Sequence, residues 1–534
     1  MYAPVNRNSF NSFSEYTALL EQPRRQLDVT AEGGSRERGF ANVAHRSGNE
    51  RFAHVAFFQA ARESGSRLAR DDDRMQGFFQ GKLSFTPWTD LFFSFSGVRS
   101  HAGAPETVTR IFGQDVFNAV ILRQFTASPD RLETNRYHQA ETTVGLKHQW
   151  RAGSTFTAAL RYEDMEQRTE RPDSTSACNG LDLASVPPFS DFGARSSRTT
   201  RYPFQTFDAQ FQQATRVGKH QVVVGQQFYT LDKANRCSET ITFQFLEGGF
   251  DNELNSDGHD SGRNTYIRDE IQVASWLHAT AGLAYQQVSY ADDIGRRVID
   301  VSRWSPRLGV SLRLAPATLL RAAAFRQLHI ALFGSSIAPP TLAGFVVARN
   351  EFATAKRDEY SVSLEHATKA TFVAVRGFTR QSTVPYLLGG SSAIPEADAS
   401  GLGAGLYVNW IVNNRLTLFG DNQLVRFGSH QFDRYDNMAR VGINLIHSRG
   451  LFVRAAGSHL TQRFSNTRIA GLPRSSFTIA DLSVGYEFAG KRGLLSLSVT
   501  NALNERFNAI IEGLSIDAFT PRRRALASLR WRLW

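Results

Sequence analysis

Ala480-Asp-Leu-Ser-Val-Gly-Tyr-Glu-Phe488 sets Ala480, Leu482, Val484, Tyr486 and Phe488 on one side of an extended chain and Asp481, Ser483, Gly485 and Glu487 on the other. Successive side chains of a strand point to opposite faces, so the stretch reads as a strand with one apolar and one polar face. The next segment repeats the pattern, with Leu495, Leu497 and Val499 against Ser496, Ser498 and Thr500. Upstream, Leu402, Ala404, Leu406, Val408 and Trp410 oppose Gly403, Gly405, Tyr407 and Asn409. Val441, Ile443 and Leu445 oppose Arg440, Gly442 and Asn444, and Leu91, Phe93 and Phe95 oppose Phe92, Ser94 and Ser96. Twenty-two segments of this kind fit the chain, from 27–35 and 38–47 through to 491–504 and 521–533. A soluble sandwich shows such alternation in single strands but does not usually sustain it through so many long ones.

The links between segments alternate as well. Those after even-numbered strands are short: Pro87-Trp88, Arg151-Ala152, Gly218, Ala315-Pro316, Asn413, Ser448-Arg449 and Gly490. Those after odd-numbered strands are mostly long: 102–134, 166–201, 232–263, 291–302, 330–356, 382–399, 464–475 and 505–520. Short periplasmic turns and long extracellular loops mark a bacterial outer-membrane barrel, and an even strand count closes the sheet without edges. The sequence therefore predicts an all-β transmembrane antiparallel β-barrel of about 22 strands. It divides into a periplasmic lead-in over 1–26 and a barrel over 27–534, with both ends of the barrel on the periplasmic side.

Composition agrees. Mean hydropathy is −0.32, and no run approaches the ~18 apolar residues of a spanning helix. A barrel needs none, because only alternate residues face lipid. Phe and Gly are abundant, at 40 and 41 residues, while Cys and Met number 2 and 4. The net charge of +11 is carried mainly by arginine, since only seven of the 61 basic residues are lysines. A nucleic-acid binder concentrates such charge in a patch or tail; here it is spread along the chain, so no nucleic-acid partner is expected. The charge suits a polar lumen with solvated loops, or a channel that attracts anions. The opening Met1-Tyr-Ala-Pro-Val-Asn-Arg7 has no apolar signal core. Export to an outer membrane would then require a removed signal or a longer parent chain.

Five arginines have lumen-facing parity: Arg161, Arg307, Arg313, Arg321 and Arg440. A charge on the lipid side costs about 2–4 kcal/mol at mid-membrane. These residues are expected to pair with lumenal acids or, alternatively, to contact a substrate or plug. Cys178 and Cys237 fall in two long outer links, where the cell surface permits a disulfide between neighbouring loops; two free thiols are the alternative. Asp251-Asn-Glu-Leu-Asn-Ser-Asp-Gly258 hints at a calcium loop but has no closing Glu, and it reads better as a solvated acidic loop. The Asp71-Asp72-Asp73 run and the Asp292-Asp293 pair read as loop surface, able to bridge lipopolysaccharide through divalent cations. No nucleophile elbow, zinc helix, Walker loop or dinucleotide fingerprint occurs. No catalytic residue, metal site or cofactor is therefore assigned.

The C-terminal stretch carries a resemblance. Leu495-Ser-Leu-Ser-Val-Thr-Asn-Ala-Leu-Asn-Glu-Arg-Phe507 is followed by Pro521-Arg-Arg-Arg524 and by Leu529-Arg-Trp-Arg-Leu-Trp534. This resembles the end of TonB-dependent receptors. There an Asn-Leu-Phe-Asn-like corner with a following aromatic (here Asn501, Asn504 and Phe507) leads to a Pro-Arg step (Pro521, Arg522) and a last strand ending in an aromatic (Trp534). One departure is that Leu529, Trp531 and Leu533 set the apolar parity, so Trp534 shares the parity of the arginines. A second stretch, Leu320-Arg-Ala-Ala-Ala-Phe-Arg-Gln-Leu328 with Ala338-Pro-Pro-Thr-Leu-Ala-Gly-Phe345 and Glu359-Tyr-Ser-Val-Ser-Leu364, is similar to receptor-like barrels that follow tetratricopeptide repeats, as is Asn8-Ser-Phe-Asn-Ser-Phe-Ser-Glu-Tyr16.

The resemblance implies an outer-membrane transport barrel for a scarce ligand of the siderophore, haem, cobalamin or glycan class. Its implied partners are membrane lipid and lipopolysaccharide, the barrel-assembly machinery and the TonB system. It also implies a plug domain in the lumen. The short segment ahead of the first strand cannot supply one, so an upstream region or a partner is expected to fill the pore. A plug-less barrel joined to periplasmic repeats, serving export or a surface scaffold, is the alternative.

Overall fold

In the computed structural model, 22 antiparallel strands close into one barrel. The structure describes residues 25–35, 38–49, 51–64, 71–103, 134–174, 178, 194–243, 249–291, 297–328, 341–347, 356–385, 396–429, 432–466, 474–488, 490, 492–505, 509–511, 514–516 and 523–533.

The first section of wall comprises β1 (Gln26–Gly34), β2 (Arg38–Gly48), β3 (Phe52–Ser64), β4 (Asp71–Thr86) and β5 (Thr89–Gly103). A taller section follows, with β6 (Thr134–Arg151), β7 (Ser154–Ser174), β8 (Ala194–Val217), β9 (His220–Phe243) and β10 (Gly249–Ala274). Next come β11 (Leu277–Ala291), β12 (Arg297–Ala315), β13 (Thr318–Leu328), β14 (Lys356–Ala367), β15 (Thr371–Pro385) and β16 (Glu396–Asn413). The last are β17 (Leu416–Ser429), β18 (Phe432–Ile446), β19 (Leu451–Asn466), β20 (Arg474–Phe488), β21 (Gly493–Thr500) and β22 (Arg524–Arg532). Each strand pairs with its sequence neighbours, and β22 pairs with β1 in a register that sets Arg532 opposite Asp28.

Parity holds around the whole ring. Leu308, Val310, Leu314, Leu402, Leu406, Val441, Leu445, Leu495, Leu497 and Leu529 are exposed on the outer face. They form the lipid-facing band that a membrane barrel requires. Trp88, Trp150 and Trp276 stand exposed at or beside short turns, where an aromatic girdle meets the periplasmic interface. Gly153 and Gly218 take positive φ, 79° and 60°, in two of those turns, a conformation that costs glycine little.

On the lumenal side, several glycines lie beneath aromatic rings of the adjacent strand. A Cβ on Gly403 would clash with the Phe378 ring, and one on Gly225 with the Tyr266 ring. The rings therefore lie along the wall instead of projecting into the lumen, an arrangement that also stiffens glycine-rich strands.

The wall differs from expectation in height. A spanning strand needs only ~9–11 residues, but β8, β9 and β10 run for 24, 24 and 26. Much of what reads as loop in 166–201 and 232–263 is strand standing above the membrane. The outer face is polar there and the inner face mixes polar residues with buried Leu231, Cys237 and Ile241, so no lipid-type alternation marks it. On the outer face of β9 and β10 the apolar band gives way above Phe228 to the His259–Asp232 contact at 2.6 Å and the Arg236–Asp257 pair. Cys237 lies in β9, not in a loop. Asp251–Gly258 lies within β10, where alternation turns its oxygen side chains to opposite faces and no cation can be wrapped. No metal-holding cluster occurs among the described residues.

Candidate functional site: the lumen and its inward hairpin

The connection after β13 turns inward. Thr341–Leu342 pairs with Phe345–Val346 as a small hairpin whose tip, Ala343 and Gly344, has φ of 49° and 87°. Two positive φ values are the mark of the tight turn that matches strand twist. Leu342, Phe345 and Val347 are buried against Ala323 and Phe325 of β13. Those two residues share the lumenal parity of Arg321, so the hairpin packs inside the barrel.

Small residues make the seat. A Cβ on Gly309 of β12 would press on Ala343 and Leu342 at 3.0 Å. A Cβ on Gly344 would overlap Arg321 Nη1. Gly309 lies between the lipid-facing Leu308 and Val310, so the hairpin narrows the lumen at the depth of the membrane.

Arginines hold the two ends. Arg268 Nη1 donates to the Thr341 carbonyl at 3.1 Å. Arg357 Nη2 donates to the Val347 carbonyl at 2.6 Å. Arg376 lies over the Phe345 ring, 5.6 Å from its centroid, within cation–π reach.

The acids nearby answer only part of this charge. Arg268 pairs with Glu270, Arg321 with Glu365 at 3.1 Å, and Glu359 serves both Arg357 at 3.8 Å and Arg380 at 3.1 Å. Arg307 and Arg376 have no carboxylate partner among the described residues. Arg307 has Arg268 and Arg357 as charged neighbours, and its Nε is buried without a hydrogen-bond partner.

The five arginines singled out by parity stand in four settings. Arg321 is at the hairpin and Arg307 beside it. Arg440 donates to Asp421 at 2.7 Å on the far wall. Arg313 is exposed near the periplasmic turn of β12 and β13. Arg161 is 3% exposed, 3.8 Å from Glu163, and opposite Asp208 in the β7–β8 register. Asp208 itself accepts from Gln210 at 2.5 Å and Gln227 at 3.1 Å.

Cys178 and Cys237 form a disulfide. It ties residue 178, beyond β7, to the upper part of β9. Glu239 tightens the same corner by accepting from Cys178 N at 3.0 Å, Ser196 Oγ at 2.8 Å and Asn252 Nδ2 at 2.8 Å.

The C-terminal corner has a physical reason for its asparagines. Asn501 and Asn504 adopt φ of 49° and 54°, the left-handed region that asparagine tolerates better than most residues. Asn501 is buried and closes the turn on the Glu505 backbone through both ends of its amide, at 2.9 and 3.0 Å. Phe507, Pro521, Arg522 and Trp534 lie outside the described residues, as do Asp292 and Asp293.

Against this geometry, the family described as TonB dependent receptor-like, beta-barrel matches residues 66–502. The chain belongs to that family. Its receptor-like barrel resembles the copper transporter OprC with a TM-score of 0.70 at 11% identity, covering 96% of this chain and 81% of that one. Against the unliganded ferric citrate transporter FecA the TM-score is 0.72 at 10% identity, over 96% and 79%. Against the siderophore receptor PiuA from Acinetobacter baumannii it is 0.69 at 9% identity, over 96% and 82%. At such identities the likeness is one of fold. No curated protein matches in sequence. The family is one of outer-membrane transport receptors, and the barrel is accordingly an outer-membrane protein.

Parity reasoning did not single out Arg268, Arg357, Arg376 or Glu239. A signal for the hairpin was present: Leu342, Phe345 and Val347 are apolar residues flanking Ala-Gly inside a nominal extracellular loop, where water would be poor company for them.

Proposed function

We propose that this chain is the wall and vestibule of an importer that takes a scarce ligand across the outer membrane with energy from the TonB system. The observation that carries the reading is the inward hairpin. Apolar side chains, set among arginines, occupy part of the lumen there. A receptor that holds a ligand and then opens a path has a use for both. The ligand belongs to the siderophore, haem, cobalamin or glycan class.

The Ala-Phe-Arg strand and the Pro-Thr-Leu-Ala-Gly-Phe loop support a place among barrels linked to tetratricopeptide repeats. Charged pairs above the apolar band, such as His259–Asp232 and Arg426–Asp433, suit contact with lipopolysaccharide headgroups. Insertion by the barrel-assembly machinery completes the partner set.

The test is growth of a strain lacking the chain, with each ligand class limiting in turn, in cells with and without TonB. One class should fail to support growth until the chain is restored, and restoration should require TonB. Growth that depends on the chain for no ligand class, or rescue that persists without TonB, would refute the reading.

A further inference from the structure

We infer that a groove on the outer face of β12–β17 holds one molecule of an acylated, phosphorylated sugar lipid, the anchor of lipopolysaccharide, with its head above the apolar band and an acyl chain within it. This deepens the lipopolysaccharide contact proposed above and rests on it, but not on import, so the growth test and the test below fail independently.

Two recesses make the groove. The upper one, of about 810 Å³, is lined by Asp358, Thr379, Gln381, Asp398, Ser400 and Arg426 among others. The lower one, of about 600 Å³, is lined by Leu308, Val310, Ala322, Tyr360, Val362 and Gly377 among others. Thr379 and Leu402 line both, so the two are continuous. Asp358 has the strand parity of the exposed Tyr360 and Val362, and Asp398 and Ser400 that of the exposed Leu402, which sets the groove on the outer face of the wall. Its lining turns from apolar to charged at Leu402 and Thr379. An occupant that fits both parts changes in the same way at the same height, as an amphiphile at the edge of the band does. The charged end points towards the long links, and so to the outer leaflet.

The upper recess holds fixed donors and acceptors side by side. Arg326 donates to Asp358 through Nε at 3.0 Å and Nη2 at 3.4 Å, and Arg426 to Asp433 through Nε at 3.2 Å and Nη2 at 2.9 Å. Arg303 also reaches Asp358, at 3.0 Å. Nη1 of Arg326 and of Arg426 has no acceptor among the described residues. The carboxylates thus orient the guanidinium planes and leave one edge of each for a ligand. A bare phosphate would meet Asp398 and Asp433 as like charges. A phosphorylated sugar suits both sets, because its phosphate accepts from arginine and its hydroxyls donate to carboxylate.

The lower recess is open by construction. A Cβ on Gly377 would come no nearer than 3.8 Å to its closest neighbour, Val362 Cγ1. Packing within the wall therefore does not require glycine here, and a glycine in mid-strand marks a place where a ligand can approach the backbone closely.

The test is native mass spectrometry of the whole chain in detergent. The probes are a bisphosphorylated, acylated glucosamine disaccharide and a phosphatidylglycerol of equal chain length. The native chain should retain the sugar lipid through detergent removal and shed the phospholipid. Arg326→Gln with Arg426→Gln should weaken retention by about tenfold or more, the loss expected for hydrogen bonds to a charged group. Gly377→Leu, which fills the lower recess with a side chain that lipid tolerates, should weaken it as well. Arg236→Gln, on the outer face of β9 away from the groove, should leave it unchanged. Circular dichroism of each variant, matching that of the native chain, separates loss of the site from loss of the fold. No retention of the sugar lipid, equal retention of the two lipids, or native retention in either the arginine or the Gly377 variant would overturn the inference.

Discussion

Gly344 and Arg321 share one space: a Cβ on the glycine would overlap the arginine's Nη1, while Arg321 stays fixed by Glu365 at 3.1 Å. The hairpin tip thus depends on a missing methyl group. Gly344→Ala should destabilise the hairpin by ~1–3 kcal/mol, because it adds a steric conflict to a positive φ. Hydrogen exchange of the 341–347 amides should accelerate while the barrel amides stay protected. Unchanged exchange in the hairpin would show that it does not rest on this contact.

Arg161 should behave as the keystone of a buried charge group. It lies near Glu163 and opposite Asp208, with both acids buried as well. Arg161→Met leaves two buried carboxylates without their cation, which typically costs ~3–5 kcal/mol. Adding Glu163→Gln and Asp208→Asn should recover most of the loss. Equilibrium unfolding of the four chains in a cycle reads the coupling; simple additivity would mean that the three residues do not act together.

The Cys178–Cys237 bond spans 59 residues of chain. Chain-entropy arguments give a loop of that size ~4 kcal/mol of stabilisation. Replacing both cysteines by alanine should lower the unfolding midpoint and open the upper wall to protease. Insertion should proceed, since the bond lies above the membrane band. Failure of the double variant to insert would contradict this placement.

A pH dependence follows from Asp260, which lies above the apolar band in the tall wall. Burial raises its carboxyl pKa, and Lys233 at 3.2 Å opposes the shift only in part. A raised pKa means that the folded state holds the proton more tightly than the unfolded chain does. This contribution to stability is present below the ordinary aspartate range and is lost as pH rises through the folded value. Upper-wall stability should therefore decline as pH climbs from about 4 towards neutrality. Asp260→Asn should flatten that part of the profile, as followed by proteolysis of β9 and β10. An unchanged profile in the variant would assign the dependence to another group.

Alternation and the unequal links made the barrel legible, because lipid enforces strict parity wherever a strand crosses the membrane. The same logic explains what stayed hidden. Above the band, water instead of lipid meets the outer face of β8, β9 and β10, so residues such as Asp251 and Glu253 look like loop although they continue a strand. Parity suggests a side for Arg161 and Arg440, but not their partners. Asp208 and Asp421 are brought there by register, which a single strand does not disclose. The hairpin was the hardest feature to foresee, since only its apolar residues distinguish it from the solvated loops beside it.

Asp28 accepts from Arg532 Nε at 3.0 Å across 504 positions of sequence. This contact belongs to the pairing of β1 with β22, and it has a kinetic meaning. Every other neighbouring pair of strands can form locally as the chain is delivered. The seam cannot form until the final strand exists, and until then β1 keeps an open edge able to pair with another chain. Closure is thus a late, all-or-none event. A chain cut short by a few residues would lose the completion of the whole cylinder, and weakening Asp28 or Arg532 should prolong the open intermediate more than it loosens the finished barrel.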